Sequence, residues 1–402
     1  MPAGRINGLL FPQYNSVITA KTNKNDYRHK SKGVFSLKVA IIGAGTSGLS
    51  CAIELERNGI YPVIFERNGF IGEYQPHVSA FLGLITRPIA DPIVYMDKQL
   101  GIKLIPLHEF RKVIHYSPNN QLTVSAPLGY FMIRGKEENS VQGQLHKQIR
   151  SQVHYNTFVK PQDVEKDFDY VIVADGHWTV PTQYGIWQET MQAWVKGGIF
   201  AGDFEEGTLQ MWLDNELTNG IYIYAAPYSK NKAVIAHVVQ NIHHEELNGY
   251  WHRFLESRNI LKKYDMLESW DVPHHAGLVT TNRVGNIYFI GAAGGGIEPF
   301  LGFGQFNAVM TGVMTARSIA HGLDVDSLLT DVKEKSKQLN TLRPLMNAAT
   351  NEDLDRLLTL MKAPGFRSLV YRTDVDVVKL LSKGLKLVSS KNKTASATRG
   401  GN

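Results

Sequence analysis

The sequence predicts an α/β fold, α+β overall, organised on a parallel sheet. Three observations carry this expectation. A short apolar run, Val39 to Ile42, leads through a glycine-rich turn into a segment of helical spacing. A second apolar run, Tyr170 to Ala174, ends in Asp175-Gly176. A third, Ile287 to Ile290, opens a longer glycine-rich loop that again feeds a helical pattern. Continuous apolar runs of this length suit strands buried on both faces, as in parallel sheets.

The bulk properties bound the answer. A chain of 402 residues exceeds one small core and suits two or more joined subdomains. Apolar residues at 43% and charged residues at 20% are ordinary for a globular protein, which excludes disorder of the chain as a whole. Cys51 is the only cysteine, so a disulfide framework and any CxxC metal or redox motif are excluded. No run of 18 apolar residues occurs, and no membrane-spanning helix is expected. The basic excess behind the net charge of +6 could suit an anionic membrane surface, nucleic acid or phosphate-bearing ligands, but much of it sits at the two ends and says little about the fold; no nucleic-acid partner is expected.

Those ends are read separately. Residues 1–36 carry Arg5, Lys21, Lys24, Arg28, Lys30 and Lys32 against Asp26. They read as a basic, disordered leader or an over-extended reading frame, with an organelle transit peptide as the alternative. The leader lacks the apolar core of a secretory signal. Residues 389–402 place Lys391, Lys393 and Arg399 among Ser, Thr, Ala and Gly, and read as a disordered tail. Residues 341–388 read as a helical region. Within it, Val375, Val377, Val378, Leu380, Leu381, Leu385, Leu387 and Val388 alternate with Lys379, Lys383 and Lys386. This is either a closing helix packed on the body or a basic amphipathic helix on a membrane surface.

Residues 38–66 read KVAIIGAGTSGLSCAIELERNGIYPVIFE. Strand Val39 to Ile42 runs into Gly43, Gly45 and Gly48, a GxGxxG turn. Leu49 to Arg57 follows with Leu49, Ala52 and Ile53 on one inward face. Asn58-Gly59 stops the helix, and Tyr61 to Phe65 is the second strand, ending at Glu66. Gly43 permits the tight turn, Gly45 leaves room for a pyrophosphate, and Gly48 lets helix and strand pack closely. The helix N-terminus offers free N–H groups and a positive dipole end to phosphates. Glu66, 18 residues after Gly48, is placed to accept ribose hydroxyl hydrogen bonds. The unit reads as a Rossmann-type dinucleotide site.

Downstream, a helix from Ser140 to about Gln152 and a short strand near Val153 to Val159 return the chain to this sheet through Tyr170 to Ala174. Residues 286–312 read NIYFIGAAGGGIEPFLGFGQFNAVMTG. Strand Ile287 to Ile290 is followed by Gly291, Gly294, Gly295, Gly296, Gly302 and Gly304. A helix then begins near Gln305, with Phe306, Val309, Met310 and Val313 at core spacing. Two glycine loops about 250 residues apart suit one long ligand with two ends, and FAD has that shape. A helix N-terminus would stabilise the flavin edge that becomes negative on reduction.

In this order the motifs resemble those of the para-hydroxybenzoate hydroxylase-fold flavoproteins, and most of all their geranylgeranyl reductase branch. The carriers are GxGxxG with Glu66, Asp175-Gly176, the segment Gly291 to Gly304, and Tyr222-Ile223-Tyr224-Ala225-Ala226-Pro227, similar to the branch's Y-x-W-x-F-P strand. The resemblance spans about residues 37–345. It departs at Ala292, where the family usually has the aspartate that binds the ribityl chain, at Tyr224 and Ala226, and in lacking a cysteine after Cys51.

The resemblance implies a Rossmann-type FAD-binding domain made of 37–95, 140–180 and 276–340. It is interleaved with a mainly antiparallel β-sheet substrate domain, 96–139 and 181–275. Gly43, Ala44, Gly45, Thr46, Gly48, Glu66, Arg67, Asp175, Gly291, Gly302 and Gly304 are the expected cofactor residues. The implied chemistry is hydride delivery to a carbon–carbon double bond of an isoprenoid or other apolar substrate, whose burial releases roughly 0.8 kcal/mol per CH2. Trp212, Tyr222, Tyr224 and Pro299 are the substrate candidates, among the aromatics Trp187, Trp194, Phe200, Trp212, Tyr222 and Tyr224 of 181–275. Tyr222 and Tyr224, two apart on one strand face, and Glu298 are the candidate proton donors. Glu298 reads alternatively as a solvated loop acid. The pairs His243-His244 and His274-His275 match no metal motif, since adjacent side chains point apart, and no metal is predicted.

No second GxGxxG serves a nicotinamide, so the electron donor is expected to be a transient NAD(P)H or a protein. A cytoplasmic protein with peripheral membrane contact is expected, organelle targeting remaining open. The same scaffold supports aromatic hydroxylation with NAD(P)H and O2, or a non-catalytic dinucleotide-binding role.

Overall fold

The computed structural model describes residues 37–373 and 375–382. The expectations for the leader, the tail and the end of the 375–388 helix lie outside them. Strand β1 (Val39–Ile42) is fully buried and turns at Gly43, φ +106°, into the helix Thr46–Arg57. The helix starts three residues earlier than its apolar spacing suggests, because the glycine turn supplies its first residues. Asn58 caps it and Gly59, φ +76°, ends it. β2 is Val63–Phe65, shorter than expected, because Pro62 has no N–H to offer a ladder and Tyr61 is exposed.

β3 (His77–Leu82), β4 (His108–Tyr116) and β5 (Gln121–Arg134) follow. The helix Val141–His146, capped by Ser140, then leads to β6 (Val153–His154), which Asn156 at φ +52° cuts short of Val159. β7 (Tyr170–Val173), β8 (Trp187–Ala201), β9 (Thr208–Trp212), β10 (Tyr222–Ser229) and β11 (Lys232–Gln240) come next. β12 (Asp265–Val279), β13 (Arg283–Val284) and β14 (Ile287–Phe289) precede the helix Gln305–His321.

These strands form two sheets. The smaller has the order β13-β14-β7-β1-β2-β6, parallel except for β13. The larger has the order β12-β8-β11-β10-β9-β4-β5-β3, antiparallel except between β4 and β9. β3 belongs to the larger sheet, pairing with β5, although it falls within the 37–95 stretch assigned to the nucleotide domain. β12 likewise runs across the expected boundary at 275–276.

The late helix closes the nucleotide half. Val309, Val313 and Ala316 share one buried cluster with Leu49, Ala52 and Ile53 of the first helix. Buried Glu54 joins the two, accepting from Arg317 Nε at 2.7 Å and Arg57 Nη1 at 3.2 Å. The helices Arg343–Ala348, Asn351–Met361 and Pro364–Tyr371 follow, and Leu354, Leu358, Met361, Val370 and Tyr371 join the cluster of Val78, Phe110 and Val113 from the larger sheet. At 377–382 the chain is helical again, with Val377 and Val378 buried and Leu380 and Leu381 exposed. Among the described residues no helix is long and apolar enough to cross a membrane.

A Cβ at Gly48 would lie 2.1 Å from the Gly43 carbonyl oxygen. Gly48→Val is therefore expected to lower unfolding stability by about 1–3 kcal/mol, the usual penalty of overpacking. A urea titration followed by circular dichroism checks it.

Candidate functional site

A cavity of about 530 Å³ opens between the two sheets at the carboxyl ends of the parallel strands. Its walls include Gly43 to Ser47, Glu66, Arg67 and Asp175 from the early motifs. They also include Gly291, Ala292 and Gly302 to Gln305 from the late one. The two glycine loops, about 250 residues apart in sequence, thus face one space.

At the first loop, a Cβ on Gly45 would find its nearest neighbour only at 3.9 Å, so the turn leaves open room there. Thr46 Oγ1 is buried without a partner at the helix start. Glu66 is buried, and its carboxylate accepts the Ala44 N–H at 2.9 Å and the Asn68 N–H at 2.8 Å. It therefore fastens the turn, and each oxygen keeps lone-pair capacity for a hydroxyl. Asp175 accepts the His177 N–H at 3.1 Å. Burial raises its pKa, and that N–H and the Arg67 guanidinium oppose the rise.

The second loop begins at Gly291, φ +59°, whose N–H donates to Thr311 Oγ1 at 2.9 Å. Ala292 presents a methyl group to the cavity. Beyond it, residues 298–304 fold around the Glu298 side chain. That carboxylate is buried and accepts N–H groups from Phe300 at 2.7 Å, Leu301 at 2.9 Å and Phe303 at 3.0 Å. Burial lifts its pKa to about 7, against the pull of those donors and of Arg343. Glu298 is therefore neither a solvated acid nor a cavity proton carrier: it does not line the cavity and instead ties its own loop. Pro299 is buried in the same loop and also stands outside the cavity wall, which removes it from the substrate residues.

The larger sheet supplies the opposite wall as two rungs of side chains. One runs Tyr222, Val238, Val195, Val272; the next runs Tyr224, Ala236, Gly197, Trp270. Trp270 lies across Gly197, where a Cβ would sit 2.2 Å from the indole. Tyr222 and Tyr224 share a strand face, as their spacing predicts, and that face lines the cavity. Their hydroxyl protons are engaged, however. Tyr222 donates to the Leu301 carbonyl at 2.7 Å and Tyr224 to the Val78 carbonyl at 3.4 Å. Burial raises both phenol pKa values. The geometry gives these hydroxyls holding roles rather than acid roles.

Trp212 is not at the cavity. It stacks on Tyr116 with ring centroids 5.3 Å apart and packs with Phe254 behind the sheet. Phe200 occupies the same rear core, and Trp187 and Trp194 do not line the cavity either. Sequence reasoning missed His77, Arg134, Trp270, His274 and Gln305, which do line it. Alternation along β12 could have found Trp270, Val272 and His274. His275 points to the other face, 2.8 Å from Glu189 and stacked on Trp178. Among the described residues no cluster of three metal-ligating side chains forms.

No protein-family model matches the chain. Solved structures do. A geranylgeranyl bacteriochlorophyll reductase-like protein from Thermoplasma acidophilum superposes with a TM-score of 0.66 at 14% identity, over 86% of this chain and 94% of that one. A flavin-dependent brominase gives 0.61 at 12% identity, over 88% and 99%. The 2-methyl-3-hydroxypyridine-5-carboxylic acid oxygenase gives 0.53 at 15% identity, over 82% and 94%. The likeness is one of fold. The chain has the para-hydroxybenzoate hydroxylase-type fold, which it shares with that reductase-like protein, that flavin-dependent brominase and that oxygenase.

A glutamate whose folded pKa is raised binds its proton more tightly when folded, so its contribution to stability is full below the unfolded value near 4.5 and lost as pH rises through about 7. Glu298→Gln is expected to flatten the fall in melting temperature between those two pH values. Thermal melts of both proteins across that range check it.

Proposed function

We propose that this chain is an FAD-dependent oxidoreductase. The observation that carries the reading is the single cavity shared by both glycine loops and by the Tyr222–Val272 face of the larger sheet. The residues fit such a group. The first turn has open space at Gly45, the Thr46–Arg57 helix points its N-terminus at the cavity, and Glu66 keeps capacity for ribose hydroxyls. Arg67 and Asp175 would flank the same end, and Gly291, Gly302 and Gly304 the ring end. The Ala292 side chain has no atom to hydrogen-bond a ribityl chain, so backbone groups of this loop would have to do so.

FAD, when bound, supplies two-electron redox chemistry at its ring. The chain would bind it and lay the substrate over Val195, Val238 and Val272. This apolar floor, together with the likeness to the reductase-like protein, supports reduction of a carbon–carbon double bond in an isoprenoid or other apolar substrate. Hydroxylation with NAD(P)H and O2 is the second reading, favoured by the polar wall of His77, Arg134 and Gln142. Electrons would come from NAD(P)H or a donor protein, and exposed Leu380 and Leu381 beside Lys379 would offer a peripheral membrane contact.

Purified protein is expected to show flavin absorbance bands; a colourless, FAD-refractory protein would point to the non-catalytic reading. Anaerobically reduced protein should be reoxidised by isoprenoid lipids, whereas substrate-stimulated NAD(P)H oxidation by aromatic acids in air would select hydroxylation. Glu66→Ala removes a charged hydrogen-bond acceptor worth roughly 1.5–3 kcal/mol. It should therefore weaken FAD retention by about tenfold or more in equilibrium dialysis, and unchanged retention would exclude the ribose role.

A further inference from the structure

The loop 298–304 leads into the N-terminus of the helix Gln305–His321. Three consecutive residues of that loop are held by side chains from three separate elements. Arg343 Nη1, from the C-terminal helical region, donates to the Phe300 carbonyl at 2.8 Å. Tyr222 Oη, from β10, donates to the Leu301 carbonyl at 2.7 Å. His274, from β12, presses its imidazole against the Gly302 backbone, with Nε2 2.5 Å from the place a Gly302 Cβ would take. On the inside, Glu298 takes the loop's N–H groups.

Arg343 is an expensive choice for a mere loop tie. It is buried, and it has no carboxylate within ion-pair distance among the described residues. Its other donors go to Gly220 O and Gln240 Oε1, each at 2.6 Å, and to Asn347 Oδ1 at 2.8 Å. A buried guanidinium with four such hydrogen bonds fixes geometry better than it adds stability. Tyr222 and His274 meanwhile line the same cavity as the loop they hold.

We infer that Tyr222, His274 and Arg343 are positioning residues: they set where the loop and the Gln305–His321 N-terminus stand against the flavin ring, and so tune the bound cofactor's reduction potential. The inference rests on the FAD reading and goes beyond it by giving the substrate sheet and the C-terminal helices a direct hold on the redox centre. A helix N-terminus favours negative charge, and a flavin edge held against it would be stabilised in the reduced, more negative state. Loosening any tether moves that dipole away and makes reduction harder.

The test uses full-length, FAD-loaded protein with the variants Tyr222→Phe, His274→Leu and His274→Gln. Tyr222→Phe removes one oxygen and no packing volume. It should keep a near-native melting temperature and lower the midpoint potential, corresponding to a roughly threefold to tenfold weaker preference for reduced over oxidised FAD, the worth of one neutral hydrogen bond. His274→Leu should act in the same direction, and His274→Gln, which keeps an N–H donor, should restore the wild-type potential. Amide hydrogen exchange on FAD-free protein supplies an independent measure: Tyr222→Phe should accelerate exchange within 298–306 and nowhere else. Variants with a wild-type potential and unchanged loop exchange would overturn the inference while leaving FAD binding intact. A protein that never takes up FAD would instead overturn the FAD reading and this inference with it.

Discussion

The Thr46–Arg57 helix is held within backbone-contact distance of three other segments, and the architecture depends on that closeness. A Cβ at Gly48 would strike the Gly43 carbonyl oxygen at 2.1 Å. One at Gly312, in the late helix, would strike the Ser47 carbonyl oxygen at 2.4 Å, and one at Gly291 would meet Ser47 Oγ at 2.4 Å. Gly48 thus lets the turn before the helix pack against it, and Gly291 and Gly312, far along the chain, let two further segments dock on the same helical turn. A side chain at either of those two positions would push the late strand and helix outward. The two glycine loops would then no longer bound one cavity.

The second half of the molecule is arranged around that dock. The larger sheet presents Tyr222, Val238, Val195 and Val272 toward the cavity, with Trp212 and Phe200 on the reverse side against Phe254 of the helix Leu247–Ser257. The front face, with Val195, Val238 and Val272 beside Tyr222, Tyr224 and Trp270, lines the cavity between the sheet and the nucleotide half. Aromatic content in 181–275 says nothing about which face an aromatic occupies. Strand alternation decides that, and it puts Trp212 in the core and Trp270 on the wall.

Charge placement separates the parts that hold from the parts that are open. Glu54 is buried between Arg57 and Arg317 and serves to clamp two helices. Glu298 is buried among its own loop's N–H groups. Glu66 and Asp175 also accept backbone N–H groups, yet both stand in the cavity wall. Carboxylates of one type thus divide between scaffold and site according to what their second lone pairs face.

The sequence by itself determined the nucleotide half: strand runs, glycine turns and the core faces of both flanking helices are local patterns with local causes, and Gly43, Glu66, Asp175 and Gly302 were legible from them. The two tyrosines of β10 were legible as sharing a face for the same reason. Tertiary structure alone decided which of their atoms were free. It also decided that Glu298 and Pro299 lie behind the cavity wall, that β3 joins the distant sheet, that His77 and Arg134 line the cavity, and that His274 and Arg343 meet the late loop. Those facts depend on pairings between residues up to hundreds of positions apart, and a local pattern carries no record of which partner will fill the space beside it.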